Sequence, residues 1–70
     1  MKNEESERLI ECVHSMRNSL NGVALNAELG KMLLDEDASV DDLRSAFSSI
    51  LLACRECDQT LAEARSLAAK

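Results

Sequence analysis

His14 is the only histidine in a chain of 70 residues, and histidine is the side chain whose unperturbed pKa lies nearest neutrality. A neutral imidazole is a nucleophile, which is the property a phosphoryl carrier needs. His14 opens the run His14-Ser15-Met16-Arg17-Asn18-Ser19-Leu20-Asn21. Arg17 stands three residues on, one turn away if the segment is helical, where a guanidinium can pair with phosphate carried on the imidazole. Taken singly, a histidine on a helix flank is most often an ordinary surface residue, and Arg17 a side chain that snorkels to reach an acid. The second candidate for chemistry is Cys54-Arg55-Glu56-Cys57. A redox C-x-x-C sits at a helix N-terminus after a strand, and zinc wants about four ligands. Neither condition is met here, so both cysteines read as small core residues and no metal site is expected.

The elements that position His14 follow from the apolar spacing. Leu9, Val13, Met16, Leu20, Val23, Ala27, Gly30 and Leu34 step by 4 and 3 in turn, and Val40, Leu43, Phe47, Ile50, Cys54, Cys57, Leu61, Ala64 and Ala68 do the same. Each is an unbroken heptad seam. They predict a helix over about residues 4–34 and another over about 40–68. The short acidic turn 35–39 joins them, in one helical-hairpin domain covering residues 1–70. Ser39, with Asp42 three residues later, makes a capping pattern for the second helix, and Asn3 or Ser6 can cap the first. Extra apolar positions (Ile10, Ala24 and Leu33; Ala46, Leu51 and Ala53) widen both stripes beyond one seam. The fold class expected is all-α: an antiparallel two-helix hairpin that dimerises into a four-helix bundle. On the heptad of Val13, His14 falls just off the seam and faces solvent.

Composition narrows the function classes. Apolar residues make up 46% of the chain, yet the only aromatic is Phe47 and there is no proline, which suits close-packed helices and not a strand-rich fold. The net charge of −5 argues against nucleic acid and against an anionic membrane surface. No apolar run approaches the roughly 20 residues of a membrane span. The acidic start Asn3-Glu4-Glu5-Ser6-Glu7 does not read as a signal peptide. Three cysteines without an export signal point to free thiols in the cytoplasm.

The eight residues from His14 resemble the phosphoacceptor box of sensor histidine kinases, the His-(Glu/Asp)-x-Arg-(Thr/Asn)-Pro-Leu pattern of their dimerisation and histidine-phosphotransfer domain. His14 matches the phosphorylated histidine, Arg17 the arginine, Asn18 the Thr/Asn position, and Leu20 and Asn21 the pair that follows. The hairpin plan is similar over almost the whole chain. The resemblance implies that Asn18 orients the water that removes phosphate from the partner. It also implies a response-regulator receiver domain docked below the histidine, with Asn21, Leu25 and Leu29 as the contact residues. Leu25, Leu29, Met32 and Leu52 form an apolar cluster outside the seams; a second copy of the chain is the other candidate to cover it.

Two positions depart from the pattern. Ser15 replaces the Glu or Asp that acts as general base in autophosphorylation, and Ser19 replaces the helix-kinking proline. The chain also has neither a glycine-rich loop nor the length for an ATP-binding domain. Whether it is itself an enzyme is therefore open. Phosphotransfer to or from a receiver needs less, because the receiver supplies the aspartate and Mg²⁺ and the carrier only a positioned imidazole. The expectation is a two-component phosphotransfer module, homodimeric, with His14, Arg17 and Asn18 as its chemistry and no cofactor of its own. The alternative is a non-catalytic hairpin, an adaptor or inhibitor that binds a signalling partner. A small RNA-binding hairpin dimer shares this architecture but not the acidic charge.

Overall fold

A computed structural model describes residues 3–69, and the side chains of residues 4–69. Two helices fill it: α1, Asn3–Asp35, and α2, Val40–Ala68. They lie against each other as a hairpin about 54 Å long and only 13 by 11 Å across. Its radius of gyration is 16.0 Å, against about 11 Å for a compact domain of this length. The molecule is a rod two helices wide. No helix among the described residues is long and apolar enough to cross a membrane.

The turn is built from backbone hydrogen bonds and one residue in an unusual conformation. Asp37 takes φ 57°, the left-handed region in which glycine is most at ease. The Ala38 amide then donates to the Leu33 carbonyl at 2.9 Å, and the Asp37 amide to the Leu34 carbonyl at 3.3 Å. That pair of bonds is a Schellman motif, and it satisfies carbonyls that would otherwise be orphaned at the end of α1. Ser39, at φ −70° and ψ 155°, restarts the chain, with its Oγ accepting from the Asp42 amide at 3.2 Å. Asp41 and Asp42 occupy the first turn of α2, where negative charge suits the helix dipole. The capping role expected of Asn3 lies outside the described side chains. Ser6, the other candidate, stands inside α1.

The seam between the helices differs from the sequence reading in register. On α1 the half-buried and buried positions are Leu9, Cys12, Met16, Ser19, Val23, Asn26, Gly30 and Leu33, with Gly22 beside them. On α2 they are Leu43, Ala46, Ile50, Ala53, Cys57, Thr60, Ala64 and Leu67. Every second residue of each expected seam is therefore correct. The others are displaced by one: Cys12 replaces Val13, Ser19 replaces Leu20, Asn26 replaces Ala27, and Ala46 replaces Phe47. The displaced residues are exposed, Val13 at 54%, Leu20 at 58%, Leu34 at 64% and Phe47 at 57%.

At Cys12, Ser19, Ala46, Ala53 and Thr60 the inner residue is smaller than the one it displaces, and at Asn26 and Leu67 it is larger. Small residues inside let two lone helices approach closely, and a Cβ at Gly22 would lie 3.9 Å from that of Ala53, ordinary contact distance. Asn26 is accommodated on the seam by donating from Nδ2 to the Gly22 carbonyl at 2.9 Å, within its own helix. The buried core is correspondingly thin: Cys12, Ala46, Ala53 and Leu67.

Candidate functional site

With Leu9, Met16, Val23 and Gly30 at a and Cys12, Ser19, Asn26 and Leu33 at d, His14 takes position f of the heptad. That is the side of α1 farthest from α2, and not the place just off the seam that a heptad through Val13 gave. The consequence for access is the same: His14 is exposed. Arg17 and Asn18 are exposed too, three and four residues on, and side chains at those spacings stand about 5–6 Å apart at Cβ. Asn21 and Leu25 continue the strip at i+7 and i+11. The strip from His14 to Leu25 is about 17 Å long at 1.5 Å per residue. Leu29 follows one turn later, around the helix towards α2. Leu25 is 71% exposed and Leu29 43%. All the residues expected to act lie on α1, and α2 supports them from behind.

Electrostatics leaves this strip open. The ion pair among the described residues joins Lys31 Nζ to Glu28 Oε1 at 3.8 Å, and both side chains are exposed. Arg17 is therefore not committed to an acid, contrary to the snorkelled pairing that its sequence position suggests. Ser15 sits at g, on the flank that turns towards α2. There it lines a shallow hollow of about 140 Å³ with Arg8, Glu11, Cys12, Thr60 and Glu63. A carboxylate from each helix, Glu11 and Glu63, thus lines the hollow beside Ser15, but none occupies the position next to His14 in the chain.

The cysteines separate. Cys12 is buried, Cys57 is half-buried on the seam, and Cys54 is exposed beside it; all three are free thiols. Cys54 and Cys57 therefore do not share the seam as their spacing predicts. Burial, with the Glu63 carboxylate as the next contribution, pushes the Cys12 thiol up from its ordinary value. Among the described residues, no group of three or more His, Cys, Asp or Glu side chains comes together to hold a metal ion.

A groove that the sequence did not announce lies at the turn end. It measures about 260 Å³ and is lined by Asn26, Leu29, Leu33, Asp42, Ser45, Ala46 and Ser49. Leu29, singled out from the sequence as a partner contact, forms part of its wall; Asn21 and Leu25 do not. The signal that would have found the groove is the cluster of small and polar residues at the start of α2, which thins the hairpin there. A scan of protein-family models and searches of curated proteins and of solved structures find no match to this chain.

Proposed function

We propose that this hairpin is a two-component phosphotransfer module which works as a homodimer, a four-helix bundle, and carries a phosphoryl group on His14 to or from a receiver domain. The observation that carries the reading is the exposed strip of α1 on which His14, Arg17 and Asn18 stand together with no commitment to other side chains. In the transfer, a ring nitrogen of His14 attacks the phosphorus of the receiver's aspartyl phosphate. The P–N bond forms as the acyl P–O bond breaks, the freed carboxylate keeps the bonding pair, and the phosphoimidazole sheds its extra proton to water. The Mg²⁺ that offsets charge on the phosphoryl oxygens belongs to the receiver. Arg17 supplies a second cation one turn away, and Asn18 holds a water. Asn21, Leu25 and Leu29 form the surface on which the receiver rests.

A second reading is favoured by Ser15. A hydroxyl is a poor base at neutral pH, so the chain is also suited to a role as a non-catalytic adaptor or inhibitor that occupies a receiver without exchanging phosphate. The fate of His14 separates the two. The protein is incubated with a panel of phosphorylated receivers and Mg²⁺, with His14→Gln in parallel. Acid-labile phosphate that appears on the wild type and is absent from the variant establishes the phosphotransferase. Receiver binding equal in both proteins, with no label on either, establishes the adaptor.

A further inference from the structure

The residues displaced from the inner seam are not scattered. With the inner seam at a and d, Val13, Leu20 and Leu34 all fall at e of α1, and Val40, Phe47 and Leu61 at e of α2. In an antiparallel pair the e positions of both helices open on the same side. Each of these six side chains is more than two-fifths exposed. From Val13 to Leu34 the stripe is about 32 Å long. It carries no charged residue, in a chain with 13 acids. Each helix thus has two heptad seams that share their a residues. The a/d seam closes the hairpin and the a/e seam is open.

We infer that the occupant of the open seam is the same seam of a second copy of this chain, so that Phe47 and its neighbours are the core of the homodimer. The inference rests on the dimeric reading above and names its contact face. Surface area supports a second copy. The hairpin exposes 5385 Å², where a compact protein of its mass exposes about 4,300 Å² and one of twice the mass about 7,200 Å². Pairing two hairpins down to that figure buries about 3,600 Å² in all, within the range of obligate homodimers. Geometry supports it as well, since a helix with seams on both sides of a shared a position is the form required inside a four-helix bundle. The competing apolar cluster, Leu25 with Leu29 and Met32, covers about two turns and is bordered by Glu28, Glu36 and Asp42. It is too short and too acidic to pair with itself.

The test is the mass of the whole chain in solution across a wide range of concentration, for the wild type, Phe47→Glu and Leu25→Glu. A wild type at twice 7.7 kDa, a dimer weakened roughly a hundredfold by Phe47→Glu, and no change in Leu25→Glu support the inference. A dimer that survives Phe47→Glu, or one lost in Leu25→Glu, overturns the face and leaves the dimeric reading standing. A wild type that is monomeric at every concentration removes both. A second readout needs no variant, because Cys54 lies within the stripe. Protection of Cys54 from alkylation in the concentrated protein supports the inference. Alkylation there as fast as in the urea-unfolded chain overturns it.

Discussion

At the scale of the residue, Ser15 decides more than His14 does. An exposed imidazole on a helix is a competent phosphoryl acceptor from a reactive donor such as an acyl phosphate, because the donor's leaving group carries most of the driving force. It is a poor acceptor from ATP without a base beside it. The prediction is an asymmetry: His14 takes label from phosphorylated receivers, while a sensor kinase's ATP-binding domain supplied in trans with ATP gives none. Ser15→Glu restores some of it, at least tenfold over the wild type, measured as acid-labile phosphate. No gain in Ser15→Glu would mean that the adjacent carboxylate is not what the chain lacks. The three thiols give a prediction that does not depend on phosphate. Cys12 is 4% exposed, and burial with Glu63 raises its pKa, so little of it is thiolate at neutral pH. Alkylation followed by mass spectrometry should find Cys12 the slowest of the three to react. The contrast with Cys54 was hidden in the sequence, where Cys54 sits on a regular heptad and Cys12 on none.

At the scale of the element, the helices and their turn were legible and the face they share was not. Period and caps are local properties: Ser39 with Asp42, the acidic first turn of α2, and the steps of 3 and 4 are enough to mark 40–68, which is the span of α2. The choice between d and e at every second position is not local. Sequence reasoning prefers the larger apolar side chain, so it takes Leu20 over Ser19 and Phe47 over Ala46. At these two positions the smaller residue is inside, which lets the two helices approach closely, whereas Leu67 lies inside in place of Ala68. The turn gives two opposed predictions. Asp37 holds a left-handed conformation that glycine adopts without strain, and it adds negative charge at the negative end of α1. Asp37→Gly should stabilise by about 1 kcal/mol. Ser39→Ala removes the cap of α2 and should cost about 1 kcal/mol. Urea unfolding of the two variants checks both, and a destabilising Asp37→Gly would show that the Asp37 side chain has a role beyond the turn.

At the scale of the whole molecule, the buried core and the exposed apolar surface are out of proportion for a chain that folds alone. Among the described residues the buried apolar side chains are one cysteine, two alanines and one leucine, while the sole aromatic and most of the large aliphatics remain in water. Hydrophobic burial is the main term that offsets chain entropy, and a small domain has little of either to spare. On the dimeric reading, a rod two helices wide gains its stability from whatever covers its second seam. If that is another copy, folding and association are one reaction, and the melting temperature must depend on protein concentration. Each tenfold increase in concentration adds about 1.4 kcal/mol to the dimer. At about 2.1 cal/mol/K per residue, two chains unfold with an entropy near 0.3 kcal/mol/K, so the midpoint should rise by about 5 °C per decade. Circular dichroism melts over two decades of concentration measure this directly. In Phe47→Glu the slope should vanish and helix content fall at low concentration. A midpoint independent of concentration in the wild type, with the helix fully formed, would mean that the thin inner seam suffices and that the apolar stripe is kept for a partner other than the chain itself.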